Sequence, residues 1–193
     1  NFPLILYLSL LIIYNQIFYE FKIILSRIFN ARFKLVCFIY IFFTNIYILL
    51  FLIIIFLYLS EVYNLNQIDL IIVICVCIST DIGGYIFGKT FKGKKLTKIS
   101  PKKTYSGMIG SFITSIFVIF LFFSQFYSAA ELLLITVLLS LISQVGDLSI
   151  SFIKRKSKLK NTGSILPGHG GLLDRLDGFI FAIPFSLFIF KII

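Results

Sequence analysis

Charge is what this sequence has least of. Only 13% of its 193 residues are Asp, Glu, Lys or Arg, against about a quarter in an ordinary soluble domain. The 59% that are hydrophobic gather in long Phe, Ile and Leu runs, which leaves no room for a sizeable soluble domain. Histidine is nearly absent. The single His169 cannot anchor a multi-histidine metal site, and no Ser/His/Asp triad is apparent. Cys37, Cys75 and Cys77 all lie inside apolar runs. An odd count without Cys/His clustering argues against a disulfide framework or a zinc site and leaves small apolar fillers. There is no internal repeat and no low-complexity linker. The first run, 2–18, lacks the basic leader and small-residue cleavage site of a signal peptide. The chain begins with Asn, and the expectation is a start cut short of an N-terminal span.

What is present is a series of apolar segments at 2–18, 35–59, 68–87, 108–127, 132–152 and 178–193. Several reach the roughly 20 residues that cross a hydrocarbon core as a helix. The expected fold is all-α, a polytopic helical membrane protein with about six transmembrane helices in this chain. It divides into an N-terminal region of two spans, residues 1–67, and a four-span region, residues 68–193, that carries the candidate chemistry. The last segment is short for a crossing.

The charges between segments set the orientation. Stretches 20–34, 88–105 and 153–177 carry four, seven and six Lys or Arg, or 17 of the 18 in the chain. The alternate connections, 60–67 and 128–131, carry none. That alternation fits six crossings with the basic stretches on the cytoplasmic side. Lys191, the exception, can snorkel at the far end. The net charge of +10 would point to nucleic acid in a soluble protein. Between membrane spans it points to anionic headgroups and phosphorylated substrates, and nucleic acid is not expected as a partner.

Acids inside apolar runs are expensive and are site candidates by default. Asp81 and Asp147 are two of them. Ser140, Gln144, Asp147 and Ser151 recur at helical spacing on one face, a polar stripe that needs a partner other than lipid. Asp81 shares a face with Gly84, Tyr85 and Gly88, where small-xxx-small spacing predicts close helix packing. Ser100-Pro101-Lys102-Lys103-Thr104 reads as a helix start, with Ser100 as N-cap and Pro101 in the first turn. Lys102 and Lys103 would then stand at the positive end of that helix, where a bound phosphate relieves the repulsion. Lys154 and Arg155 end the Asp147 helix, while Lys156, Lys158 and Lys160 are expected to face solvent and headgroups.

The third basic stretch closes on Pro167-Gly168-His169-Gly170-Gly171-Leu172-Leu173-Asp174-Arg175-Leu176-Asp177. Its glycines let the backbone fold tightly and turn amides towards an anion. Asp174 and Asp177, at i and i+3, are spaced to share a divalent cation. Hard oxygen ligands beside Lys and Arg point to Mg²⁺-dependent phosphoryl or nucleotidyl chemistry.

These residues resemble a known family. The segment from Ser151 to Asp177, ending PGHGGxxDRxD, is similar to the C-terminal motif of phosphatidate cytidylyltransferases (CDP-diacylglycerol synthases). Gln144-Val-Gly-Asp147-Leu, Asp81-Ile-Gly-Gly-Tyr85-Ile-Phe-Gly88 and Ser100-Pro-Lys-Lys-Thr104 resemble three further blocks. The likeness covers about residue 68 to the end. It implies transfer of CMP from CTP to phosphatidate, giving CDP-diacylglycerol and pyrophosphate in phospholipid biosynthesis. It implies Mg²⁺ on Asp147 and Asp174 with Asp177 in support, and a monovalent cation such as K⁺ beside it. It further implies phosphate contacts from Lys102, Lys103, Lys154, Arg155 and Arg175, with His169, Gly170 and Gly171 in the loop at the site. A homodimer in a bacterial-type inner membrane, with its site on the cytoplasmic face, follows from the same likeness. The chain departs from the pattern at Asn161, Ile150 and Ser106, each where the family carries an acid or amide. The alternatives are a CTP-dependent polyprenol or phytol kinase, or a non-enzymatic ion transporter using the intramembrane acids.

Overall fold

The computed structural model describes residues 2–28, 34–59, 66–97, 100, 103–159, 161–163 and 170–193. It is all-helical: α1 (Phe2–Ile28), α2 (Lys34–Leu59), α3 (Gln67–Phe91), α4 (Tyr105–Phe123), α5 (Ala129–Lys156), the single turn α6 (Leu173–Leu176) and α7 (Phe179–Ile192). Among the described residues, five helices are long and apolar enough to cross a membrane, α1 to α5. This is an integral membrane protein. The sixth expected segment holds α7, whose 14 residues here are not among those five.

The first helix also corrects the sequence reading, running ten residues past the expected end at Phe18 to Ile28. Glu20 and Lys22 interrupt the apolar run, but Ile17, Phe21, Ile24 and Leu25 are all buried. Their spacing keeps one apolar stripe going through the charges.

The chain forms two compact units. One comprises Asn1–Leu65 with Ile150–Asp177, the other Asn66–Ser149 with Gly178–Ile193. In the first, α1 packs on α2 around Ile17, Ile24, Ile48, Phe51 and Tyr58, and Tyr14 donates a hydrogen bond to Asn45. An apolar cavity of about 340 Å³ lies between these helices, lined by Leu10, Leu11, Tyr14, Leu49, Leu52, Ile53 and Phe56.

In the second unit α3 is the hub, packed on α4 and α7. Its contact with α4 is made of small residues, as the Gly84/Gly88 spacing predicts. A Cβ on Gly107 would lie 2.7 Å from the Gly84 carbonyl oxygen, and one on Gly84 2.8 Å from Ser111 Oγ. That closeness lets side chains reach across: Ser111 Oγ donates to the Thr80 carbonyl (2.8 Å), Thr114 Oγ1 to the Ser79 carbonyl (3.0 Å), and Thr80 Oγ1 to Ser140 Oγ on α5 (2.9 Å). At the start of α3, buried Asp69 accepts from the Tyr127 hydroxyl at 2.5 Å. A capping box starts α5: Ser128 N–H donates to Glu131 Oε2 (2.8 Å) while Ser128 Oγ accepts from Glu131 N–H (3.4 Å). Cys77 is buried and Cys37 and Cys75 half-buried, all as free thiols, which fits apolar filling.

Gly107→Ala gains helix propensity, worth about 0.5–1 kcal/mol at an open site, yet its methyl meets a backbone carbonyl that no rotamer change can move. We expect net destabilisation of about 1–3 kcal/mol, read as a lower melting temperature in detergent. Gly88→Ala, whose Cβ meets only the Thr104 hydroxyl at 3.1 Å and Gly107 Cα at 3.7 Å, should cost less.

Candidate functional site

The connection between α3 and α4 is built differently from the sequence expectation. Ser100 does not cap the helix. The α4 helix begins at Tyr105, and Thr104 is its N-cap, accepting from the Gly107 N–H at 3.1 Å. The physical reason is backbone pairing. Leu96 N–H donates to the Lys103 carbonyl (2.8 Å) and Tyr105 N–H to the Lys94 carbonyl (3.0 Å), so Thr104 pairs with Lys95 in an antiparallel bridge, with Lys103 beside it, and neither lies in a helix. The Lys103 N–H bonds the Ser100 carbonyl at 3.0 Å, and Pro101, expected in the first turn of the helix, lies outside the described residues. Ser106, one of the departures from the family pattern, bonds Thr104 Oγ1 at 3.0 Å and accepts from Gly93 N–H at 3.2 Å.

This arrangement brings Lys103 into a cavity of about 280 Å³. Thr80, Asp81, Gly84 and Tyr85 of α3 line it, with Leu96, Ser100, Lys103 and Thr104 of the connection, Gly107, Met108 and Ser111 of α4, and Gln144 and Asp147 of α5. The polar stripe of α5 thus meets polar neighbours: Ser140 is buried against Thr80, Gln144 Nε2 donates to Ser140 Oγ at 3.3 Å, and Asp147 forms an ion pair with Lys103. Both charged side chains of that pair remain about a quarter exposed. Two carboxylates from separate helices, with hydroxyl and amide oxygens around them, are a hard-oxygen donor set that fits Mg²⁺.

The second cluster lies in the other unit. Lys154 Nζ bonds Asp174 Oδ1 at 2.6 Å, and Asp174 Oδ2 accepts from Thr162 N–H (2.9 Å) and Gly171 N–H (3.1 Å). Burial alone would raise the Asp174 carboxyl, but Lys154 and these two amides outweigh it and hold it below its ordinary value. Gly170 stands at φ +90°, a backbone that glycine adopts without steric cost, and a Cβ there would lie 2.7 Å from Asp174 Oδ2.

The residue that sequence reasoning missed is Glu20, 1% exposed on α1. It accepts from Gln16 Nε2 (2.8 Å), Thr162 Oγ1 (2.6 Å), Leu172 N–H (2.9 Å) and Leu173 N–H (2.9 Å). A signal was present, since Gln16 and Glu20 fall at i and i+4 within an apolar helix. It was hidden because Glu20 reads as the start of a basic connection. The anions that the amides of Gly171, Leu172 and Leu173 face in this structure are thus the chain's own Asp174 and Glu20.

The remaining predicted residues are placed as follows. Arg155 and Arg175 are exposed, and Asp177 is half-buried at the end of α6. Lys156 and Lys158 are exposed, as expected for solvent-facing cations. Ile150, the second departure, is buried, and Asn161, the third, is exposed. Lys102, Lys160 and His169 lie outside the described residues. Within neither unit do three His, Cys, Asp or Glu side chains among the described residues gather around one point.

The sequence profile of the Cytidylyltransferase family matches residues 2–193. The chain belongs to that family. It is similar to proteins named phosphatidate cytidylyltransferase from several bacteria. The Bacillus subtilis (strain 168) protein is 42% identical over 139 residues, covering 68% of this chain and 52% of the relative. The Staphylococcus haemolyticus protein is 49% identical over 109 residues, 54% of this chain and 42% of the relative. The Rickettsia felis protein is 40% identical over 134 residues, 64% of this chain and 59% of the relative. The chain spans about half the length of the curated relatives it matches.

A lowered carboxyl fixes the sign of a pH dependence. The stabilisation from Asp174 is fully present above the ordinary Asp value of about 3.9. It is lost as pH falls below that value through the lower native one. Protection of the amides in 170–174 from exchange, expressed relative to the intrinsic rate at each pH and measured in chelator, should fall over that acid range in the wild type. The Asp174→Asn variant should lack that acid-dependent step.

Proposed function

We propose that this family member transfers CMP from CTP to phosphatidate, giving CDP-diacylglycerol and pyrophosphate. The observation that carries the reading is the cavity where Asp81 and Asp147, from different helices, meet Lys103. The similarity to relatives named for this reaction supports it. An oxygen of the phosphatidate phosphate bonds to the α-phosphorus of CTP, and the bond from that phosphorus to the bridging oxygen of the departing pyrophosphate breaks. The nucleophile is already anionic at neutral pH, so positioning and charge neutralisation dominate over base catalysis.

Asp147 would hold Mg²⁺ together with Asp81, and Asp174 and Asp177 are the further acids that the family likeness assigns to metal. When bound, such a cation would supply neutralisation of phosphate charge and stabilisation of the leaving oxygens. A monovalent cation such as K⁺ belongs to the same proposal. Lys103 holds phosphate from the α3–α4 connection, and Lys154 keeps Asp174 ionised and oriented. Arg155 and Arg175, both exposed, offer bidentate forks to phosphate oxygens. Lys102 and His169 complete the basic set. Gly170 and Gly171 shape the turn that presents Asp174.

The positive-inside signal of the basic stretches supports a reaction at the cytoplasmic face of a bacterial-type inner membrane. There the lipid tails stay in the bilayer and CTP arrives from water. Membrane lipids and a second copy of the chain, as a homodimer, are the proposed partners.

The test is pyrophosphate release from CTP by the chain in detergent micelles. It should require both Mg²⁺ and phosphatidate, and Asp147→Asn should lower turnover about 100-fold or more. Near-wild-type turnover in Asp147→Asn would remove Asp147 from the mechanism. Release without phosphatidate would remove the proposed acceptor.

A further inference from the structure

Glu20 is a carboxylate inside a membrane-spanning helix whose partners, among the described residues, are all uncharged. Its Oε1 accepts from Gln16 Nε2 and Leu172 N–H, and its Oε2 from Thr162 Oγ1 and Leu173 N–H. A carboxylate has about four acceptor sites, so both oxygens are saturated. Removing any donor leaves a buried anion under-satisfied, which costs far more than an ordinary hydrogen bond gains. Glu20 therefore selects one conformation of the chain that supplies those donors.

That chain is the segment that shapes Asp174. Thr162 faces both acids, giving its hydroxyl to Glu20 and its N–H to Asp174. Three successive amides divide the same way, Gly171 to Asp174 and Leu172 and Leu173 to Glu20. A side chain on Gly171 would run into the Glu20 carboxylate and the Thr162 hydroxyl. We infer that Glu20 is a positioning residue. From α1, through Thr162 and the amides of Leu172 and Leu173, it fixes the turn 170–174 and so the direction in which Asp174 and its partner Lys154 present their charges. The catalytic part of this claim rests on the function proposed above; the structural part does not.

The experiment uses the full chain in detergent micelles with two readouts, steady-state kinetics and amide exchange by mass spectrometry over 170–174. In Glu20→Gln one acceptor oxygen becomes an NH₂ that faces donors. Exchange in 170–174 should accelerate at least about tenfold, and kcat should fall about 10–100-fold, the range seen when a group orienting a metal ligand is lost. KM for phosphatidate should stay within about twofold. Thr162→Val, which removes a single hydroxyl and keeps the Thr162 N–H, is the milder variant should Glu20→Gln fail to fold. It should shift both readouts in the same direction, and Thr162→Ser should return both to within about threefold of wild type.

Unchanged exchange in 170–174 in the folded variants overturns the inference whatever the turnover. Accelerated exchange with wild-type kcat overturns the positioning role. A wild-type chain without cytidylyl transfer defeats the proposed reaction and the catalytic part that rests on it. The exchange readout still decides the Glu20 clamp.

Discussion

A carboxylate carried into an apolar helix must be met by donors, and that requirement organises the polar connections of this protein. Asp147 is met by Lys103, Asp174 by Lys154 and two amides, Glu20 by four neutral donors, and Asp69 by the Tyr127 hydroxyl. Apart from Gln16, one turn before Glu20 on α1, the partners come from a distant part of the sequence or from a loop. The connections are therefore held by the acids, and the acids by the connections. Breaking one side strands a buried charge, a larger penalty than the pair contributes when intact.

The two clusters solve this differently. In the α3–α4–α5 unit the helices come close through small residues, and the acids share a solvent-reaching cavity with a lysine delivered by a bridged loop. The result is an adjustable arrangement of carboxylates, hydroxyls and one ammonium group. Around Glu20 three of the four donors are two backbone amides and a short hydroxyl side chain, which cannot swing away as a lysine can. That cluster is built for fixed geometry. One presents charge to a cavity, and the other holds a turn in place.

The departures from the family pattern can be read in the same terms. Ser106 is tied into the α3–α4 connection through Thr104 and Gly93, so its hydroxyl has structural employment. Ile150 is packed away from solvent at 2% exposure, where an acid would need a partner of its own. Asn161 precedes Thr162, which bonds both Glu20 and Asp174, and its side chain is exposed.

Sequence alone determined the helical class, most crossings, the close packing at Gly84 and the pairing of a polar α5 stripe with polar neighbours. Apolar length, small-residue spacing and helical periodicity are local properties, and a bilayer leaves them few alternatives. The motif PGHGGxxDRxD likewise carried the family before any geometry was known. Tertiary structure alone decided the start of α4, the continuation of α1 beyond Phe18, the pairing of Lys103 with Asp147, and the partners of Glu20. A cap at Thr104 was chosen over Ser100 by backbone pairing with Lys94 and Leu96. Glu20 was set by donors 142 to 153 residues away. Which donor meets a buried charge depends on long-range contacts, and no local pattern encodes them.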